Sequence, residues 1–143
     1  MAAEMGAPDG VTFHPWPDDR DMPSHSLPAL EAGKCAERQG AEAFARYHEA
    51  LLRAYFELNR DISQRDVLIQ VADSAGLDVA GFQRDLDEGT QRAAVLADFI
   101  EAQTRGITAV PTVLLADAAG AVRVVGEVPL AQYRRVVDWL LAT

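Results

Sequence analysis

One thiol and three imidazoles are this chain's nucleophiles and neutral-pH proton carriers: Cys35, His14, His25 and His48. A single cysteine forms no internal disulfide and supplies no Cys-x-x-Cys pair. Cys35 follows Lys34 in a stretch of small residues, Ala32, Gly33 and Ala36, which reads as a packed thiol. Exposed, it would be a monothiol nucleophile without a resolving partner. His25 precedes a helix start and reads as a solvent-facing or capping side chain, with a chemical role at a cleft as the alternative. His48 falls on the apolar stripe of a helix, where a hydrogen-bonded core imidazole is a simpler reading than a catalytic one. Trp16 stands between Pro15 and Pro17. It reads as a surface lid or packing anchor, or as the wall of a binding groove, since indole joins apolar area to one donor. No cluster of His, Cys, Asp and Glu has metal-ligand spacing. Asp73, Asp85, Asp87 and Glu88 read as a solvated acidic face.

The other chemistry the sequence offers is main-chain recognition, in the run Gly106-Ile107-Thr108-Ala109-Val110-Pro111-Thr112-Val113-Leu114-Leu115. Pro111 stands at the mouth of an apolar strand, where a missing N–H is tolerated. The residue before such a proline can offer its N–H and C=O to an extended ligand by strand addition. Val110 and Pro111 are therefore candidate substrate-binding residues; the plainer reading is that Pro111 shapes the turn. Cis bonds are only about 5–6% of X-Pro bonds in folded proteins, so local sequence favours trans here.

The elements that must position these residues follow from periodicity. Val11 and Phe13 place a short strand over Val11–His14, and Pro15, Pro17 and Pro23 break it. Pro28 belongs in the first turn of a helix capped by Ser26 and ending near Gly40. Glu42 to about Asn59 is the most regular helix, with a stripe of Phe44, His48, Leu51, Tyr55 and Leu58. Ser63 and Asp66 open a third helix as a capping box, and Asp78 caps a short fourth. A fifth presents Leu96, Phe99, Ile100 and Gln103 and stops at Gly106. Strands follow at Thr112–Ala116 and Val122–Val125 about an Asp117–Gly120 turn. Pro129 then starts a last helix with a core face of Leu130, Tyr133, Val137, Leu140 and Leu141.

At 143 residues and 49% hydrophobic, the chain suits one folded domain. Its 22 acidic and 13 basic residues leave a net charge of −9, which argues against a nucleic-acid backbone or an anionic membrane as partner. No apolar run approaches the ~20 residues that span a bilayer. One cysteine fits a reducing, cytoplasmic setting.

From Val11 onward the chain resembles the DsbA-like thioredoxin-fold family. Its flavour is closest to FrnE-type oxidoreductases and 2-hydroxychromene-2-carboxylate isomerases. The matching stretches, in collinear order, are Ser26-Leu27-Pro28-Ala29-Leu30-Glu31-Ala32, His48-Glu49-Ala50-Leu51-Leu52-Arg53-Ala54-Tyr55-Phe56 and Asn59-Arg60-Asp61-Ile62-Ser63. Val110-Pro111-Thr112 and Gly126-Glu127-Val128-Pro129 complete the set. The resemblance implies a single α/β thioredoxin-like domain of DsbA type over residues 1–143. Residues 11–25 and 106–143 would be its thioredoxin part, 28–89 an α-helical insertion and 90–105 a connecting helix. It also implies a cis proline at Pro111 facing the redox site.

The family's first strand and its Cys-x-x-Cys at a helix N-terminus, where a thiol pKa is lowered, have no counterpart here, so the expected domain is truncated at its front. His14-Pro15-Trp16-Pro17 as a Cys-Pro-Trp-Cys with both cysteines replaced is the alternative alignment. Four or five side chains of a central strand would bury about 10 kcal/mol, against a domain stability of about 5–15 kcal/mol. A second copy, a separate partner chain or a rearranged leader is therefore expected to complete the sheet. The resemblance implies an oxidoreductase-related protein without dithiol activity of its own. A binding or assembly module taking a peptide or small thiol is one alternative, and a glutathione-dependent isomerase or transferase relic another. No cofactor is expected, with glutathione as the one alternative.

Overall fold

The computed structural model describes residues 12–20, 22–23, 25–118 and 120–142. The chain divides into two compact units, Met1–Ala97 and Asp98–Thr143. The first unit is helical: α1 (Leu27–Glu37), α2 (Ala41–Phe56), α3 (Arg65–Ser74), α4 (Val79–Asp87) and the opening of α5 (Arg92–Thr104). Small residues make α1 its hub. Ala29, Ala32 and Ala36 are buried and let α1 pack against α2, α3 and α4. Tyr47, Phe82, Leu68, Val71 and Cys35 are the largest fully buried side chains, and burying each of the larger apolar ones is worth about 1.5–3 kcal/mol. The Tyr47 and Phe82 rings lie 5.2 Å apart.

Several local readings are corrected. His48 is exposed, stacked on Phe44 at 5.5 Å, while Tyr47 takes the core position. The buried stripe of α2 is Ala43, Tyr47 and Ala54, about one residue round from the stripe of large side chains; α1 and α3 are the helices that pack on α2. Thr12–Pro17 form no strand; Val11 lies outside the described residues. The end of α2 captures this segment instead. His14 N–H donates to Phe56 O at 2.9 Å, and the Phe13 ring meets Phe56 edge-on at 5.2 Å. Ser26 makes no side-chain cap. The capping box expected at Ser63 is replaced by a turn on Asp61, whose carboxylate accepts from Ser63 N–H (2.9 Å), Ser63 Oγ (2.6 Å) and Gln64 Nε2 (3.0 Å). Asp78 does cap α4, accepting from Gly81 N–H at 3.1 Å.

The second unit holds the rest of α5, β1 (Thr112–Ala116), β2 (Ala121–Val125) and α6 (Leu130–Leu141). The strands pair antiparallel with Val113 opposite Val124 and Leu115 opposite Val122. Asp117 closes the hairpin: its N–H donates to Gly120 O at 2.9 Å, and Oδ1 accepts from Gly120 N–H at 2.8 Å. Helix α6 packs on β1. The face carrying Val113, Leu115, Val122 and Val124 is the more buried one; Thr112–Val125, Leu114–Arg123 and Ala116–Ala121 make the more open face. In α6 only Leu140 of the expected core face is buried, while Leu130, Val137 and Leu141 are exposed. Leu96, Phe99 and Ile100 of α5 are exposed as well. Among the described residues the chain is thus mixed α/β, with six helices and a two-stranded sheet, and no helix is long and apolar enough to cross a membrane.

Candidate functional site

The loop before β1 is built by three local devices. Helix α5 ends in a Schellman motif: Gly106 N–H donates to Gln103 O and Ile107 N–H to Ala102 O, both at 2.9 Å, with Gly106 at φ +65°. That left-handed value is open to glycine at little cost. Arg123 then reaches from β2 and donates to the carbonyls of Arg105 and Gly106, pinning the start of the loop. At its far end Thr112 Oγ1 donates to Ala109 O at 2.6 Å, and Pro111 O accepts from Gly126 N–H at 2.8 Å.

Between these anchors stands Val110, 91% exposed. The Val110-Pro111 bond is cis. No main-chain hydrogen bond of Val110 is made among the described residues. The arrangement therefore holds an apolar side chain and a free peptide N–H and C=O out to solvent on a fixed loop. The position of this loop was legible from Pro111. Arg123 and Thr112, which position the loop, were not. The available signal for Arg123 was a lone charge inside the apolar run Val122–Val125.

The other sequence-derived candidates lie in the first unit. Trp16 is half-buried; its indole N–H donates to Arg20 O at 3.0 Å and its ring lies 5.6 Å from Tyr55, an anchor for the loop. His25 is exposed at the rim of a cleft of about 400 Å³ with Leu27, Pro28, Glu31, Arg65 and Arg92. The charges of that cleft are matched in pairs: Arg92 donates to Glu31 at 2.7 and 3.3 Å, and Arg65 to Asp87 at 2.5 and 2.6 Å. Cys35 is 1% exposed. Burial pushes its thiol up to about 11; Asp85 and Glu31 add to the rise and Arg38 opposes it. A nucleophilic cysteine needs the reverse, an electropositive and accessible setting. Beside it, the Tyr47 hydroxyl is raised by its own burial and then by Cys35, and it has no hydrogen-bond partner among the described residues. No group of three or more His, Cys, Asp or Glu among the described residues converges as a metal site would.

Known proteins resemble this chain in family and in fold. The DSBA-like thioredoxin domain family matches residues 4–138. The chain is 30% identical over 130 residues to the ClpXP adapter protein SpxH of Halalkalibacterium halodurans, covering 88% of this chain and 42% of that protein. It is 30% identical over 121 residues to the SpxH of Shouchella clausii, covering 82% and 40%. The chain thus spans about two-fifths of the length of these curated relatives. Among solved structures it is similar to a chain from Nitrosomonas europaea provisionally described as a protein disulfide isomerase. The TM-score is 0.77 at 20% identity, over 97% of this chain and 69% of that one, a likeness of fold.

Proposed function

We propose that this chain, which belongs to the DSBA-like thioredoxin family, binds an extended polypeptide and carries out no dithiol chemistry of its own. The observation that carries the reading is Val110: 91% exposed, without a main-chain partner among the described residues, on a loop anchored by Arg123 and Thr112. Strand addition draws its affinity from such main-chain groups and its selectivity from the side chains beside them. Catalysis by thiol-disulfide exchange needs an attacking thiolate and a resolving thiol, and the 143 residues hold one cysteine, buried. The relatives named as adapter proteins weigh toward a binding role in this branch of an oxidoreductase family. The unpaired thiol supports a reducing, cytoplasmic setting.

Two measurements test this. In insulin reduction the chain turns over no faster than its Cys35→Ser variant; turnover that depends on Cys35 overturns the redox half of the reading. Titration with a cysteine-free extended peptide, followed by amide resonances, shifts Val110 and Thr112. Val110→Pro removes the donor and weakens binding about tenfold, while the Val113 and Leu115 amides report an intact hairpin. Peptide binding unchanged in that variant removes the loop from the proposal.

A further inference from the structure

We propose that the outer edge of β1 is a self-pairing edge: a second copy of this chain lays its own β1 antiparallel against it, joining two hairpins into one continuous sheet. The hydrogen-bond register defines that edge. The closing bonds Gly126 N–H to Pro111 O and Asp117 N–H to Gly120 O fall on the same alternate positions as Val113 and Leu115. In an antiparallel pair, those positions turn their main-chain groups toward the partner strand, and the intervening ones turn theirs away. Thr112, Leu114 and Ala116 therefore point N–H and C=O outward. The sheet order is β1-β2, and these outward groups have no main-chain partner among the described residues.

An open edge of this kind recruits other strands unless it is blunted by charge, proline or a bulge. Thr112-Val113-Leu114-Leu115-Ala116 has no charged residue and no proline, and it pairs with β2 in unbroken register. The strand is also self-complementary. A two-fold axis through Leu114 sets Thr112 of one copy opposite Ala116 of the other and Leu114 opposite Leu114. Every outward group then meets another outward group, as an isologous interface requires.

Charge and exposure favour a second copy of this chain as the occupant. Residues 98–143 carry five acidic and four basic side chains, whereas residues 1–97 carry seventeen and nine. Identical chains repel strongly at the first unit and hardly at the second. The near-neutral unit is also the one rich in uncovered apolar side chains. Leu114 and Val125 lie on the open face of the sheet, and Leu130, Val137, Trp139 and Leu141 on α6 are all at least a third exposed. Association through this unit would cover apolar side chains that are now in water.

The inference does not depend on peptide capture: its readout is Leu114 and Ala116 rather than Val110, so either can fail alone. The experiment is sedimentation equilibrium of the full chain over a concentration series, with amide hydrogen exchange alongside. The expected result is a mass rising toward twice the 15.5 kDa chain mass, with protection of the Leu114 and Ala116 amides rising in step. Leu114→Lys and Leu114→Glu each place like charges across the axis and weaken the dimer roughly tenfold. Mixing the two variants restores it, an outcome that misfolding does not produce. A chain monomeric throughout the series overturns the proposal, as does a dimer indifferent to both variants. Leu114 and Ala116 amides protected only by an added unrelated peptide also overturn it and give the edge to a foreign strand.

Discussion

Cys35 shows how one atom's surroundings set its acidity. In the unfolded chain its thiol ionises near the ordinary 9.0; in the native chain burial, helped by Asp85 and Glu31 against Arg38, holds the proton to about 11. Below pH ~9 the thiol is protonated in both states, so its contribution to stability is complete there. Above that, the unfolded chain releases its proton first, and stability falls until pH reaches about 11. The loss attributable to Cys35 is on the order of 3 kcal/mol, since each pKa unit corresponds to about 1.4 kcal/mol. Tyr47, raised by burial and by Cys35, loses in the same direction from its own ordinary value upward. Urea midpoints from neutral to alkaline pH measure the slope. Cys35→Ala begins lower, because a buried side chain is truncated, but declines less steeply. Parallel slopes for the two proteins would mean that the native thiol is not held protonated by its burial. The same surroundings weigh against Cys35 as a nucleophile, because a buried thiol held protonated offers little thiolate at neutral pH.

At the scale of elements, much of the helical order was legible and the orientation of the helices less so. Starts and stops carried strong local signals: Pro28 inside the first turn of α1, Gly40 between α1 and α2, Asp78 before α4 and Gly106 after α5. Pro111 and the Asp117–Gly120 turn likewise marked the loop and the hairpin. The buried face of α2 was misread because hydrophobicity weighs large side chains, whereas this core is assembled from Ala29, Ala32, Ala36, Ala43 and Ala54 around Tyr47. Alanines are as common on surfaces as in tight helix contacts, so no one-dimensional pattern separates the two. The strand read at Val11–His14 had the right alternation but no neighbouring strand to pair with among the described residues; Phe13 and His14 are held by the end of α2 instead. The Asp78 cap gives a sharper test of local physics. Gly81 lies inside α4, where alanine is ordinarily preferred by about 1 kcal/mol. A Cβ at Gly81 would collide with the Asp78 carboxylate, the group that accepts from Gly81 N–H. An N-cap is itself worth about 1 kcal/mol, and the collision adds to its loss. Gly81→Ala is therefore expected to lower the melting temperature; a clear rise would show that the carboxylate moves aside without giving up the cap.

Across the whole molecule, burial is unequally shared, and stability should be too. The largest fully buried side chains, Tyr47, Phe82, Leu68, Val71 and Cys35, all belong to the first unit, whereas Val124 and Leu140 are the buried hydrophobics of residues 98–143 among those described. A two-stranded hairpin takes its stability from what packs on it, and here the buried hydrophobics among the described residues are those two. Regions with few buried contacts open at a fraction of the global free energy. Native-state hydrogen exchange in low denaturant should therefore separate two classes. Amides of Leu68, Val71 and Ala72 in α3 exchange only when the first unit unfolds. Those of Val113, Leu115, Val122 and Val124 exchange through a cheaper opening that leaves α1 to α4 intact. If β1 pairs with a second copy, raising the protein concentration slows the second class and leaves the first unchanged, because association stabilises only the part that it covers. Equal protection of both classes at every denaturant and protein concentration would mean that the chain unfolds as one cooperative body. The exposed apolar surface of residues 98–143 would then lower stability without marking a place where anything docks.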